Sequence, residues 1–225
     1  MNRLLLSAML LLALTINLHA QYSKKKANEN FSSRYGVKIA TGFVLANPEL
    51  TLVGNESDFV VNEVRFRSAE MLKSIGIFGQ KKFGYLFVQG DMLYSNYGMN
   101  FDVKSFSNEY IPDEVMSESF HYIDLQIMGG LTGNGFRIGV GPVIHLLAGH
   151  DTELTQLDQY NEKLRKVSFG FSGGIGFDTG IFSFDLKYEN AFRTVGDHVW
   201  YGNRKSRFIQ TPNSISFAVA VALGR

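Results

Sequence analysis

The chain has 225 residues, of which 45% are hydrophobic, 19% charged and 13% aromatic, and this length fits one folded domain once a presequence is removed. It contains no cysteine, which excludes a lipobox, disulfide bonds and thiolate chemistry or thiolate metal sites. A formal net charge of +1 and a pI of about 7.9 argue against a nucleic-acid partner.

The N-terminus has the three parts of a secretory signal. Arg3 provides a positive start, an apolar run covers Leu4 to Leu14, and the small residue Ala20 precedes Gln21. The apolar run is shorter than the ~20 residues that a membrane-spanning helix needs. We therefore predict a cleaved signal peptide at residues 1–20, followed by a periplasmic tail at 21–35.

The rest of the chain, residues 36–225, alternates bulky apolar residues with small or polar ones at a period of two, which is typical of strands. Each alternating segment is close to the ~9–11 residues of a transmembrane strand. We identify eight of them, at 36–45, 71–79, 84–96, 120–130, 135–148, 167–178, 181–192 and 213–224.

The two faces of these segments differ in chemistry. In the seventh, Phe182, Phe184 and Leu186 alternate with Ser183 and Asp185. A water-soluble barrel would hold its bulk inside and carry charges outside, whereas here charges share a face with glycine, alanine and serine. Because a charge facing lipid at the bilayer midplane costs ~2–4 kcal/mol, the bulky face is predicted to contact lipid.

The connections alternate between tight and long. Tight, turn-type links are expected at about 79–83, 131–134 and 179–180, and long polar ones at 46–70, 97–119, 149–166 and 193–212. This alternation predicts an all-β fold, an eight-stranded antiparallel up-and-down transmembrane β-barrel with short periplasmic turns and long extracellular loops. An even number of strands places both termini in the periplasm.

Three of the long connections contain groups of apolar or aromatic residues. Leu154, Leu157 and Leu164 are near helical spacing, so a short amphipathic helix is expected within 153–166, packing onto its own loop. The first connection holds an apolar cluster that either extends the strands above the membrane or folds into the barrel mouth: Phe59, Val60, Val61, Val64 and Phe66. Trp200, Tyr201 and Phe208 are expected at the headgroup level or in loop packing, with a partner site as the alternative.

Ionisable side chains on the small-residue face are expected to fill the lumen. The set contains four acids and three firm bases besides one histidine, and is close to neutral: Lys38, Asp91, Asp124, Arg137, His145, Asp185, Lys187 and Glu189. Buried charges need partners, and mixed signs on neighbouring strands provide them. We predict a structural polar network that plugs a lumen too narrow for a water channel, with no catalytic, cofactor-binding or metal-binding residues.

The sequence resembles a known family. The run from Tyr122 to Leu125, followed after a tight turn by Phe136 to Val143, is similar to the middle of the small outer-membrane β-barrel proteins of Bacteroidetes, the PorT type. The resemblance implies an eight-stranded barrel of the bacterial outer membrane, in contact with outer-membrane lipids. Only some members of the family are associated with protein secretion or gliding, so the resemblance leaves the function open, with a protein partner in an outer-membrane complex as one expectation.

We therefore expect a non-enzymatic protein, either structural and anchoring or a subunit of an outer-membrane export or assembly complex. The alternative is an outer-membrane hydrolase acting on lipid or peptide at the surface, with His145 or His150 as base and Asp151 as the orienting acid. It lacks an obvious nucleophile, because no Gly-x-Ser-x-Gly element occurs and Ser172 lies mid-strand. The adjacent Asp197 and His198 are too few to form a metal site.

Overall fold

The computed structural model describes residues 32–45, 50–54, 60–105, 114–156, 161–164, 166–191, 196–201, 204–206 and 213–224. The predicted signal peptide and all but the last residues of the predicted tail lie outside these ranges. No helix within them is long and apolar enough to cross a bilayer.

The described residues form thirteen strands and one turn of 3-10 helix. In chain order the strands are β1 (Ser33–Leu45), β2 (Leu50–Gly54), β3 (Val60–Ala69), β4 (Met71–Phe83), β5 (Leu86–Ser105), β6 (Glu114–Gly133), β7 (Phe136–Thr152), β8 (Asn161–Leu164), β9 (Val167–Thr179), β10 (Phe182–Ala191), β11 (Gly196–Tyr201), β12 (Arg204–Ser206) and β13 (Asn213–Gly224). The 3-10 turn is Glu153–Gln156, between β7 and β8.

Eight of the strands close into a ring. Going around it, the order is β1, β4, β5, β6, β7, β9, β10 and β13, and β13 pairs again with β1. Every neighbouring pair is antiparallel. Closure satisfies the backbone hydrogen bonds without leaving a free edge, as a membrane-spanning sheet requires. The predicted eight-stranded antiparallel barrel is confirmed.

The tight turns lie at one end of the ring, and each uses a residue with a positive φ. The β6–β7 turn has Asn134 at φ 50° and Gly135 at φ 84°, as a type I′ hairpin requires, while Gly84 and Gly180 open the other two turns at φ 64° and 58°. Because β4 continues through Phe83, the first turn is formed by Gly84 and Tyr85, not by residues 79–83 as predicted.

Both ends of the ring-forming chain lie beside these turns. Tyr35 near the start of β1 is paired with Gly224 at the end of β13, and Ser33 is paired with Lys81 next to the first turn. β1 therefore begins at Ser33, three residues before the predicted start, and includes the last three residues of the predicted tail.

At the opposite end, residues predicted as loops are strands. β5 continues to Ser105 and β6 begins at Glu114, whereas the sequence predicted limits at 96 and 120. β3, within the predicted loop 46–70, pairs with the outer half of β5, and β2 pairs with β3. We call the part formed by β2, β3, residues 97–105 and residues 114–121 the outer extension. For the apolar cluster of the first connection, the sequence left two alternatives, an extension of the strands or folding into the barrel mouth. Val64 and Phe66 lie in β3, which extends the sheet beside β5.

The amphipathic helix expected within 153–166 is wrong. Among the described residues of this stretch, Glu153–Gln156 form a 3-10 turn and β8 belongs to a separate three-stranded sheet with β11 and β12. Leu154 is fully buried and Leu164 packs partly against the same apolar cluster, so packing, rather than helical spacing, determines their positions. Leu157 and Phe208 lie outside the described residues, as do the side chains of Trp200 and Tyr201.

Candidate functional site

The exterior of the ring is an apolar belt. Its side chains belong to the predicted bulky face of each strand and retain between 41% and 69% exposure: Val37, Ile39, Phe43, Ile75, Ile77, Val88, Met92, Ile127, Phe136, Ile138, Val140, Phe169, Phe171, Ile175, Leu186, Tyr188, Ile215, Phe217 and Leu223. Soluble monomers rarely expose contiguous apolar surface beyond a few hundred Å². The predicted orientation of the strands in this region is confirmed.

The polarity of the two faces inverts along β5. Up to Tyr94 the outward side chains are apolar, whereas the inward face carries Gln89 and Asp91, with 2% and 4% exposure, together with Phe87 and Leu93. From Tyr97 onward the inward side chains are apolar and buried, while Asn100 and Lys104 face outward. The outer extension is therefore built like a soluble protein, and the ring below it is built the opposite way.

The inward side chains of the outer extension form one apolar cluster. Its buried members are Val64, Tyr97, Met99, Phe101, Val103, Met116, Phe120, Tyr122 and Leu154. The ring of Tyr97 stacks on Phe120 at 5.4 Å and on Tyr122 at 5.9 Å between centroids. This cluster fills the interior of the outer end of the barrel.

Charged side chains fill the lumen at the turn end. Asp178 accepts from Lys82 at 2.8 Å, and its other oxygen lies 3.2 Å from Arg34 and 3.0 Å from Arg137. Ser183 also donates to this carboxylate at 2.7 Å. The side chain of Asp178 is only 7% exposed, so these four contacts compensate for its loss of water.

In the middle of the lumen, acids and bases alternate. Asp91 lies between Lys38 at 2.8 Å and Lys187 at 2.6 Å, and Asp185 lies between Lys38 at 3.0 Å and Arg137 at 2.7 Å. The side chains of these five residues are at most 8% exposed. Three glutamines add hydrogen bonds: Gln89 accepts from Arg137, Gln80 donates to Gln89, and Gln126 accepts from Lys187.

A third group lies higher, toward the outer extension. The Nδ1 atom of His145 is 2.7 Å from Asp124, and its Nε2 atom is 3.3 Å from Glu189. These side chains border a cavity of about 90 Å³, which Tyr97 and Tyr122 also line. The structure thus places all eight predicted lumen residues inside the barrel: five form the ionic chain, of which Lys38 and Lys187 also line the cavity, and the other three line the cavity above it.

Sequence reasoning missed three members of this network, Arg34, Lys82 and Asp178. Each lies on the inward face of its strand, at or just beyond the end of a predicted segment, so continuing the two-residue alternation would have found them. With them, the lumen below the apolar cluster holds five acids and five firm bases besides His145 among the described residues; Glu118 and His150 form a further buried pair beside the cluster. Gly176 leaves room for the chain, since a Cβ atom there would lie 2.5 Å from Asp185 and 2.8 Å from Arg137.

The histidines of the hydrolase alternative have partners other than the predicted Asp151. Asp124 holds His145, Glu118 lies 2.7 Å from His150, and Asp151 lies 3.7 Å from His121. Ser172 is fully buried and its hydroxyl has no hydrogen-bond partner. Ser168, directly opposite His145 on β9, is the nearest serine by register.

Within the described ranges, no group of three or more His, Asp or Glu side chains is arranged to hold a metal ion. The side chains of Asp197 and His198 lie outside the residues whose side chains are described.

These features define a class of protein: a closed eight-stranded antiparallel β-barrel with an apolar exterior and an ion-paired interior. No family model matches the sequence, and no curated protein matches it. Among solved structures, the chain is similar to the translocator domain of the autotransporter NalP from Neisseria meningitidis, with 11% identity over 96% of each chain and a TM-score of 0.25. The fold assignment rests on the strand pairing described above.

Proposed function

We propose that this protein is a non-enzymatic barrel of a Gram-negative outer membrane. It anchors the outer extension at the cell surface, as a structural element or as a subunit of an export or assembly complex. The observation that carries the proposal is the polarity inversion along β5, between Tyr94 and Tyr97. The similarity of residues 122–125 and 136–143 to the PorT-type barrels of Bacteroidetes supports it.

The inversion has a simple physical explanation. Bulky apolar groups gain ~25 cal/mol for each Å² removed from water, so on one protein they face outward only where the surroundings are themselves apolar. Above the inversion the exterior of β5 is polar and the core is inside, as in water. The boundary of a bilayer between Tyr94 and Asn96 accounts for both halves of the same strand.

The lumen supports a closed barrel. Eight strands enclose an interior only wide enough for side chains to fill, and here it is filled by ionic pairs below and by the Tyr97, Phe120 and Tyr122 rings above. Since these pairs neutralise one another, the interior has no single sign of charge that would select ions.

Location and closure are tested together on the purified protein. We expect the unboiled, folded protein to migrate differently from the boiled one on a denaturing gel, to need detergent for solubility, and to show no steady conductance in planar bilayers. A protein that stays dissolved without detergent would contradict the membrane location. Steady ohmic conductance would contradict the closed lumen.

The role of the outer extension is tested by site-specific photocrosslinking in cells. Val115 on β6 is an exposed apolar residue of the extension, at 46% exposure, and Ile127 on the same strand lies in the belt at 62%. A photoreactive residue at Val115 is expected to give a protein adduct, while one at Ile127 should react with lipid. A lipid adduct at Ile127 without a protein adduct at Val115 would favour a solitary structural role over a complex subunit, and adducts at neither position would contradict the membrane location.

One observation favours the enzyme alternative. Asp124 orients His145 at 2.7 Å, and Ser168 lies opposite the imidazole on the neighbouring strand, which are the residue types of a nucleophile, base and acid. Hydrolysis of lipid or peptide substrates by the parent protein that is lost in both Ser168→Ala and His145→Gln would overturn the non-enzymatic proposal.

A further inference from the structure

The lumen cavity lies above the ionic chain and below the aromatic rings of the outer extension. Its volume is about 90 Å³, smaller than the ~150 Å³ of a cavity that holds benzene. Solvent reaches it, because the side chains of Asp124, His145 and Glu189 keep 17%, 13% and 28% exposure, against 1% for Lys38 in the floor.

Several buried polar atoms in its wall have no hydrogen-bond partner. These are the hydroxyl of Tyr122, the side-chain nitrogen of Gln126 and the Nε2 atom of His145, and all three residues line the cavity. Tyr122 is 4% exposed and Gln126 6%. Buried polar groups are nearly always satisfied. The hydroxyl of Tyr122 and the side-chain nitrogen of Gln126 are both donors, so they indicate that the cavity holds an occupant with acceptor atoms.

Two further groups beside the cavity require donors: Asp124, which lies between Tyr122 and Gln126 on β6, and Glu189 on β10. Asp124 has one carboxylate oxygen bonded to His145, and Glu189 only approaches the same imidazole at 3.3 Å. Thus two carboxylates that line the cavity share one histidine and have acceptor capacity left over. An occupant has to offer several N–H or O–H groups to this side.

The charges below the cavity and those in its wall differ in sign. Below and in the floor lie the five bases Arg34, Lys38, Lys82, Arg137 and Lys187 with the three acids Asp91, Asp178 and Asp185, an excess of two positive charges. The wall adds the two carboxylates of Asp124 and Glu189. The cavity therefore lies between a positive floor and a negative wall.

We infer that this cavity binds a small zwitterion with an ammonium and a carboxylate close together, that is, a small α-amino acid of the size of glycine or alanine. Its ammonium group donates to Asp124 and Glu189. Its carboxylate accepts from Gln126 on the floor side and from Tyr122, whose ring lies above the cavity. The site goes beyond the proposed function and does not depend on where the barrel resides.

The test measures ligand binding to the folded, detergent-solubilised barrel by calorimetry with four probes: glycine, methylammonium, acetate and glycerol. Glycine is expected to bind, and each of the other three at least about tenfold more weakly, because each lacks one or both charged hydrogen-bonding groups. Equal binding of methylammonium and glycine would overturn the inference in favour of a simple cation site. Heat from none of the probes would overturn it in favour of a water-filled cavity.

Two variants locate the site. Glu189→Gln and Tyr122→Phe each remove one predicted contact while keeping the shape of the side chain, and each should weaken glycine binding, by about tenfold for the charged contact. Ser172→Ala is the matched control, since its unpartnered hydroxyl also faces the lumen but does not line this cavity. Gel migration of the unboiled variants verifies folding, and unchanged glycine affinity in both folded variants contradicts the assignment.

Discussion

At the scale of single residues, the lumen is a chain of shared charges. Asp91 serves two lysines and Asp185 serves Lys38 and Arg137, so each carboxylate links strands that are not all neighbours in the ring. Removing such a group leaves buried cations without compensation, which is far more costly than losing an exposed pair. The chain therefore ties opposite sides of the barrel together.

Asp91→Leu should lower the free energy of unfolding by about 3–5 kcal/mol, because Lys38 and Lys187 lose the carboxylate between them. Urea unfolding of the barrel in lipid vesicles measures the change. The control is Asp102→Ala, which breaks the exposed pair with Arg67 and is expected to cost no more than ~1 kcal/mol. Similar losses in the two variants would contradict the role of the buried chain.

Outside the ring, Glu153 provides a pH-dependent contact. The backbone N–H and the hydroxyl of Ser117 both donate to its carboxylate and hold the pKa of Glu153 below its usual value of 4.5. A lowered pKa in the folded state means that the contact stabilises the fold above pH 4.5 and is lost as the pH falls through the folded-state pKa. An NMR titration of the Ser117 amide should have its midpoint below 4.5, and a midpoint at or above this value contradicts the contact.

At the scale of elements, the strands are set by alternation and the turns by residues that accept a positive φ. Gly135 has φ 84°, and a Cβ atom there would also lie 2.8 Å from the carbonyl oxygen of Asp178. Gly133, two residues earlier, has no such φ, and a Cβ atom would meet nothing within 4 Å. The two glycines of this hairpin thus differ in that only Gly135 has a positive φ and a close backbone neighbour.

Gly135→Ala should destabilise the barrel by about 1–2 kcal/mol from the left-handed backbone alone, with a further cost from the close contact. Gly133→Ala is expected to change stability by less than ~1 kcal/mol, in either direction. The urea unfolding midpoints of the two variants, measured under the same conditions, test this difference in stability. An unchanged midpoint for Gly135→Ala would mean that the turn can adopt another conformation.

The ring strands could be read from the sequence because bulky outward residues recur at every second position, as in Phe182 to Leu186, although some inward residues, such as Phe78 and Phe87, are bulky too. The outer halves of β5 and β6 were missed for a physical reason. Their alternation continues, but Tyr97, Met99 and Phe101 point inward, so a search for bulky outward residues stops at the inversion. The cavity could not be predicted at all, because it depends on which side chains on separate strands meet.

At the scale of the whole molecule, the stability cost of an outward-facing charge should depend on its position along the barrel. Leu186 lies midway along the outward face of β10, and Asn190 lies at its outer end, bonded to Asn213 of β13. A charge at the first position would meet the hydrocarbon interior, and at the second it would reach the headgroups or water.

Leu186→Arg should therefore reduce folding stability in lipid vesicles by about 2–4 kcal/mol, and Asn190→Arg by about 0–1 kcal/mol. Refolding from urea into vesicles, followed by gel migration, measures both. Equal costs would contradict a bilayer around the belt. In detergent micelles, which deform more easily, we expect the difference between the variants to shrink.

The continuity of β5 and β6 through the inversion has a mechanical consequence. Each strand runs for 20 residues without a break, so no hinge separates the part below the polarity inversion from the part above it. A force applied to the outer extension would be transmitted directly to the ring below the inversion. Many hydrogen bonds between neighbouring strands would resist it together. The outer extension would therefore tilt and turn with the rest of the ring as one body.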